Sequence, residues 1–458
     1  MRRKIYDDLI RWKERPGHKC LVVKGQRQVG KTYIINAFAD ENYGNCVRID
    51  FSEEPDMKRI FDRNLDVDRI VSEIELVKNE RISPGSTLLF FDEIQECPLA
   101  RSSLKYFTID GRYDVIASGS LLGVSDARLY PFSGKDVPPL IPMGYEEHMT
   151  MTSMDFEEYL WAVSFDEETI KLIRSRIRER KPLGSTVMDL IMSRFRDYMI
   201  IGGMPESVRS FAETGSYRDS GIILDDILSI CRTDITRYNK GVNILKTAEC
   251  FDSIPSQLSQ TNKKYTYSRI ESGLESRNSA QKYMENLLWI GAAGYGNFCY
   301  ALKEPRIPLK SQEIRDSFKV YLSDTGMLTR MLGIDAARAM LGYDTSFNEG
   351  AITENAVAEC LMKSGITPRY YRKTNGDNKM EIDFVIEMNG EVFAIEVKSG
   401  QSRNAPSIAK VGNVFRIDRK IVLENSDIHV TGDGVEHYPI FASAFADELA
   451  KPWDGPEL

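Results

Sequence analysis

Short apolar runs alternate with amphipathic stretches through residues 18–150. The runs are Cys20–Val23, Cys46–Phe51, Thr87–Phe91 and Asp114–Ala117. Continuous apolar runs separated by helix-length segments predict a buried parallel sheet in an α/β domain. Residues 154–240 carry a mainly helical pattern, broken at Gly202-Gly203-Met204-Pro205, which no helix interior accommodates. Residues 241–300 read as three short helices ending in Trp289-Ile290-Gly291. From about residue 340 a helix is followed by alternating strands, with a turn at Asn389-Gly390.

Composition narrows the class. At 458 residues the chain is long enough for about three domains. With 42% hydrophobic and 28% charged residues it has the make-up of a globular protein. No run approaches the roughly 18 uncharged apolar residues of a membrane span, and the basic start Met1-Arg2-Arg3-Lys4 has no apolar segment behind it. The seven cysteines are scattered, and the four histidines do not group with them. That argues against a zinc site and against disulfides, and for a reducing cytoplasm. A net charge of −8 counts against a large basic nucleic-acid footprint but leaves a local basic stripe open.

Gly25-Gln26-Arg27-Gln28-Val29-Gly30-Lys31-Thr32 fits the G-x4-G-K-[ST] pattern between a strand-like run and a helical one (Tyr33, Ile34, Ile35, Ala37, Phe38). Its glycines let successive amides turn toward phosphate oxygens, and the helix N-terminus adds its positive end. Lys31 is expected at the β/γ-phosphates of ATP and Thr32 at Mg²⁺. Leu88-Leu89-Phe90-Phe91 then ends in Asp92-Glu93. Beside a phosphate loop, Asp92 is expected to hold Mg²⁺ through water and Glu93 to polarise the attacking water; alone, such a pair would be a solvated strand end. After Asp114–Ala117, Ser118 or Ser120 is placed to sense the γ-phosphate, or simply to end the strand.

A second constellation lies near the C-terminus. An Asn389-Gly390 turn sets Asp383 opposite Glu396 and Glu381 opposite Lys398, all four on one face. The other face, Ile382, Phe384, Ile386, Phe393, Ile395 and Val397, is apolar. Facing carboxylates about 4.5–5.5 Å apart at Cβ repel. A divalent cation such as Mg²⁺ would compensate them, with Glu354 completing the ligand set and Lys398 orienting a water. The bland alternative is a surface ion pair between Lys398 and one of the acids. Upstream, Lys263-Lys264-Tyr265 precedes a helical pattern with apolar Tyr283, Leu287, Leu288 and Ile290. Its other face carries Arg277, Asn278, Gln281 and Lys282, residue types that meet DNA phosphates and base edges in a winged helix-turn-helix. A small helical lid that never meets DNA is the alternative.

Taken together, the chain resembles AAA-type ATPases (AAA_14) fused to a DUF4143-type domain. The resemblance rests on Gly25–Thr32, Leu88–Gln95, Asp114–Leu122, Met143-Gly144, Asp155–Leu160, Tyr198–Pro205, Tyr321–Gly326, Glu354, Glu381–Phe384 and Glu396–Gly400. It implies an α/β protein with a P-loop core (1–150), a helical lid (151–240), a winged-helix-like part (241–335) and a restriction-endonuclease-like domain of the PD-(D/E)XK kind (336–458). Asp383, Glu396 and Lys398 match that catalytic motif, and Glu354 its helix acid. Where relatives often carry Gly-Arg after the third strand, this chain has Gly134-Lys135, and lysine cannot reproduce the guanidinium fork of an arginine finger; Arg128 is a weak substitute. The implied partners are ATP and DNA, with no membrane and with oligomerisation open. The expectation is an ATPase with a Mg²⁺-dependent nuclease-like domain. The rivals are a nucleotide-switched scaffold or DNA-binding regulator without cutting, and ATP as a structural ligand only.

Overall fold

The computed structural model describes residues 1–120, 144–238, 242–260, 262–266, 279–342, 349–374, 379–399 and 406–451. Two compact units result: residues 1–152 with 292–294, and the remainder from 153 onward.

In the first unit every apolar run named above becomes a strand. β1 (Cys20–Lys24), β2 (Asn45–Asp50), β3 (Thr87–Asp92), β4 (Asp114–Gly119) and β5 (Glu146–Thr150) form one sheet in the order β2-β3-β4-β1-β5. All its pairings are parallel. Among the described residues this unit has four α-helices: α1 (Ile5–Glu14), α2 (Lys31–Asn42), α3 (Val67–Lys78) and α4 (Pro98–Asp110). Parallel strands need such crossovers, and covering helices explain why β3 is buried along its whole length. One core joins strand residues Val47, Ile49, Leu89 and Phe91 to Ile70, Ile74, Leu104 and Phe107 of the helices. Phe51, Phe61, Phe91 and Phe107 pack edge-on or tilted at centroid distances of 5.7–6.0 Å. β1 lies between β4 and the edge strand β5, one strand in from the border of the sheet.

The second unit joins helices to an eight-stranded sheet. Its helical part runs Phe156–Ala162, Glu167–Glu179, Ser185–Ile201, Pro205–Thr214 and Tyr217–Tyr238. The Gly-Gly-x-Pro break falls between the third and fourth of these. Gly202 stands at φ +72°, and a Cβ there would meet Asp324 Oδ1 at 2.1 Å; one on Gly203 would meet the Met154 carbonyl at 2.0 Å. Asp324 Oδ2 accepts the Gly203 N–H at 2.8 Å while Oδ1 caps the Thr325–Leu332 helix through Met327 N–H. Glu359 reinforces the junction: it accepts from Tyr198 Oη (2.8 Å), Lys363 Nζ (2.5 Å) and Thr325 N–H (2.7 Å).

The sheet contains β6 (Gly296–Leu302), β7 (Glu313–Leu322), β8 (Arg369–Lys373), β9 (Met380–Met388), β10 (Glu391–Val397), β11 (Arg419–Glu424), β12 (His429–Val430) and β13 (Val435–Pro439). Its order is β12-β13-β11-β10-β9-β8-β6-β7. β6 pairs in parallel with β8, so the sheet runs unbroken across residue 335, where the sequence suggested a boundary.

Three local readings change. In place of three short helices, the described residues of 241–300 hold two longer ones, Val242–Leu258 and Ser279–Ala292. The first takes in Pro255, whose missing N–H forgoes one i→i−4 hydrogen bond inside the helix. On the second helix Tyr283, Leu287 and Ile290 are buried as expected, whereas Leu288 is 50% exposed; the expected contact residues Arg277 and Asn278, and the side chains of Gln281 and Lys282, lie outside the described residues. Lastly, the β9–β10 hairpin is covered on both faces: Val385, Val392 and Ala394, which alternate with the apolar set, pack in one core with Ile408, Val411 and Val422. A helix, Pro406–Val414, supplies that cover.

Gly202→Ala is expected to destabilise the second unit by about 2–4 kcal/mol, through left-handed strain plus displacement of Asp324. Chemical denaturation followed by hydrogen exchange at Gly203 and Met327 measures it; unchanged protection would refute this account of the junction.

Candidate functional sites

The segment after β1 is shaped by its surroundings. A Cβ on Gly25 would come within 2.1 Å of the Met151 carbonyl, so only glycine lets the loop leave the sheet here. Gln28 (φ +66°) and Gly30 (φ +90°) both take left-handed backbone, which turns neighbouring amides inward. Gly30 precedes the first residue of α2 and offers no side-chain cap, so the helix N–H groups remain for an anion. Arg3, buried, braces the loop by donating to the Val29 carbonyl at 2.8 Å and to the Thr152 carbonyl at 2.7 Å. Gln26 and Val29 are buried, Arg27 partly so.

Lys31 is 5% exposed, and its ammonium folds back onto its own loop. It donates to the carbonyls of Gly25 (3.0 Å) and Gln26 (2.9 Å) and to Ser120 Oγ (3.2 Å). Ser120 in turn donates to Glu93 Oε1 at 3.0 Å, so one hydroxyl connects the loop lysine to the second strand-end acid. Glu93 sits at φ +50°, and Gln95 donates to its other oxygen. Asp92, 1% exposed, accepts from Thr32 Oγ1 (2.9 Å), from Ser118 Oγ and from the Arg48 guanidinium (2.8 Å). The two serines therefore divide the contacts: Ser118 holds the aspartate and Ser120 the lysine and glutamate. Thr32 and Asp92 lie where a hydroxyl and a carboxylate can share Mg²⁺, and the loop amides and Lys31 can meet phosphate oxygens, so this donor set fits a magnesium nucleotide.

Arg3 and Arg48 escaped the sequence reading. Arg48 had a faint signal: in Cys46-Val47-Arg48-Ile49-Asp50-Phe51, Arg48 and Asp50 alternate with apolar residues and so share one face. The guanidinium also binds Asp50 at 2.7 Å. Arg3 had none, because its acceptors are backbone carbonyls far along the chain. Gly134-Lys135 and Arg128 lie outside the described residues.

The second constellation gathers around a cavity of about 330 Å³. Glu354, Asp383, Glu396 and Lys398 all line it, as do Lys263 and Lys319. The hairpin has the expected register, from Glu391–Met388 to Ile395–Phe384. There the ladder stops, and the Asp383 carboxylate accepts the Val397 N–H at 2.9 Å. β9 also shifts register against β8 between the Arg369–Val385 and Tyr371–Ile382 pairs, a local bend of the kind that re-aims side chains.

Charge is balanced unevenly in this cavity. Glu354 projects from the Gly350–Lys363 helix and is fully paired: Lys319 Nζ donates at 2.9 Å, and Lys263 Nζ and Tyr321 Oη also donate. Burial opposes its ionisation, but the two lysines outweigh that and hold the carboxyl at about 2. Asp383 moves the other way. Burial, and then the nearby Glu354 charge, push it up to about 7 against the opposing pull of Lys319 and the Val397 amide. Glu396 gives Oε1 to Lys398, while its buried Oε2 has no hydrogen-bond partner. A buried carboxylate oxygen without a donor calls for a cation or a proton. Glu396 and Asp383 thus fit a divalent ion, whereas Glu354 would first have to give up a lysine.

Comparison with known proteins identifies the two ends of the chain. Residues 17–160 match the AAA domain and residues 349–441 match a domain of unknown function, DUF4143. A further domain of unknown function, DUF8612, matches residues 192–338 between them. The chain therefore joins an AAA domain to a C-terminal DUF4143 domain, in the order expected. Among curated proteins it is 35% identical over 127 residues to uncharacterized proteins of Mycobacterium bovis (Mb2031c) and Mycobacterium tuberculosis (Rv2008c). That match spans 28% of this chain and 26% of each relative. Among solved structures, the Aeropyrum pernix ORC1 protein in complex with DNA aligns with a TM-score of 0.30 and 12% identity, over 74% of this chain and 93% of that one. A likeness that weak bears on no functional point. Among the described residues, no helix is long and apolar enough to cross a membrane.

Asp383 makes stability depend on pH in a defined direction. Its folded value, about 7, lies above the ordinary 3.8, so between those values the folded state holds a proton that the unfolded chain has lost. The fold is favoured at the acid end and loses stability as pH rises from about 4 to 7. Asp383→Asn removes this loss. Relative to wild type it should gain on the order of 2–4 kcal/mol between pH 5 and pH 8 in denaturant titrations. A difference that stays flat with pH would refute the protonated carboxyl.

Proposed function

We propose that the chain is a Mg²⁺-dependent ATPase whose C-terminal cavity acts on nucleic acid, with metal-assisted phosphodiester cleavage as its chemistry. The observation that carries the first half is the continuous contact from Lys31 through Ser120 to Glu93, beside a Thr32–Asp92 pair at 2.9 Å. Magnesium, when bound, neutralises charge on the β- and γ-phosphate oxygens. Gly25–Thr32 amides and Lys31 bind and orient the triphosphate. Glu93 accepts the proton of the attacking water, with Gln95 and Ser120 fixing its carboxylate. Ser118 keeps Asp92 aimed at Thr32, and Ser120 is placed to report the γ-phosphate because it touches both the lysine and the glutamate.

For the second half, support comes from the orphaned Glu396 oxygen and the raised Asp383 carboxyl, which a divalent ion would satisfy together. Lys398 would then orient or deprotonate a water beside that ion. DNA is the proposed nucleic acid, and ATP binding is proposed to license the cut. The second reading, a nucleotide-switched binder or scaffold that does not cut, is favoured by one observation: Lys263 and Lys319 already neutralise Glu354.

Lys31→Ala should weaken magnesium-nucleotide binding by about 10- to 100-fold in calorimetry, the loss expected for one charge-assisted contact set. Glu93→Gln should keep nucleotide binding while turnover falls by about 100-fold or more. If wild type binds nucleotide but shows no turnover above that of Glu93→Gln, ATP is a bound ligand only. Purified wild type incubated with ATP, Mg²⁺ or Mn²⁺ and supercoiled, branched or single-stranded DNA should cut at least one form, and Asp383→Ala none. Intact DNA throughout, with ATP turnover present, leaves the scaffold reading.

A further inference from the structure

At the far edge of the eight-stranded sheet, away from the β6–β7 end, two histidines that the sequence left ungrouped come together. His429 on β12 is the direct cross-strand partner of His437 on β13. Their imidazoles stack with centroids 4.4 Å apart and planes 14° from parallel. Glu424, at the end of β11, lies beside them, with Oε1 2.9 Å from His437 Nδ1. One ligand atom from each of Glu424, His429 and His437 lies within 4.8 Å of the others.

The surrounding contacts prepare these groups as ligands. His429 Nδ1 is 2.9 Å from the Asp427 carbonyl. A carbonyl only accepts, so Nδ1 carries the proton and the Nε2 lone pair is left for a metal. The carboxylate of Asp427 is itself fixed, taking the N–H groups of Leu183 and Gly184 at 2.8 Å each. Ser426 Oγ donates to Glu424 Oε1 at 2.8 Å and sets the carboxylate's rotation. Carbonyl-oriented imidazole and hydroxyl-oriented carboxylate are the usual outer supports of a metal site. The side chains of His437 and Glu424 keep only 12% and 11% of their exposure, while His429 is exposed. An ion can therefore enter from the His429 side and keep water in its remaining positions.

We infer that Glu424, His429 and His437 form a binding site for a divalent transition metal of the Zn²⁺ class. Two imidazoles and one carboxylate suit Zn²⁺, Co²⁺ or Ni²⁺ and discriminate against Mg²⁺, which takes oxygen. The ion would tie the two-residue strand β12 to β13 and β11. It is separate from the magnesium sites considered above, which use oxygen donors only.

Full-length, tag-free Asp383→Asn protein titrated with Co²⁺, without nucleotide, tests this; that background keeps binding at the carboxylate–lysine cavity from contributing. The expected result is one equivalent of Co²⁺ with a visible d–d absorption band, displaced by Zn²⁺ and unaffected by excess Mg²⁺. Adding His429→Ala, a change at an exposed position, or His437→Ala should weaken Co²⁺ binding at least about tenfold. Zn²⁺ should raise the melting temperature of wild type and leave that of His429→Ala unchanged. A flat titration, or one that survives both histidine substitutions, overturns the site.

Discussion

A carboxylate taken out of water must be given donors or a cation, and the functional architecture of this chain follows from how each buried acid meets that demand. Asp92 is met by a hydroxyl from the phosphate loop, a hydroxyl from the neighbouring strand and a guanidinium from the strand on its other side. Glu359 is met by a phenol, an ammonium and a helix-terminal amide drawn from three helices. Glu354 is met by two lysines and a tyrosine. Glu396 is met on one oxygen only, and that asymmetry is what supports the proposed chemistry at the cavity. A purely structural acid would be satisfied on both sides, as Glu359 is.

How much of this could be read from the chain depends on how local each device is. The phosphate loop was legible because its shape comes from residues adjacent in sequence: glycines that permit the turn, a lysine and a threonine that open the helix. The hairpin register was legible for the same reason, since Asn389 (φ +52°) and Gly390 (φ +80°) fix which residues pair. Strand β5 was missed because Glu146-Glu147-His148-Met149-Thr150 is polar, as an edge strand can be. The pairing of Glu354 with Lys263 and Lys319 was also missed. Those partners stand 91 and 35 residues away in the chain, and neither lysine carries a local mark of its destination. Likewise His429 and His437 are ordinary in sequence and become a pair only through the antiparallel edge that joins β12 to β13.

The two candidate sites also differ in rigidity. Around Asp92 two of the donors, Arg48 and Ser118, belong to the adjacent parallel strands, whose spacing the ladder sets, so these groups are held by backbone geometry. In the C-terminal cavity the balance is held by long lysine side chains, each with several rotamers to lose. Such side chains can leave an acid without any change in the sheet, so occupancy there can respond to ligand while the fold stays fixed.

The continuity of the eight-stranded sheet has a practical side. A fragment cut at residue 349, where the DUF4143 match begins, would lack β6 and β7 and leave β8 as an open border. Its freed amides and carbonyls would invite pairing between copies, and Lys263 and Lys319 would be gone from beside Glu354. Poor solubility or altered ion affinity of such an excised piece would then report on the cut, not on the intact molecule.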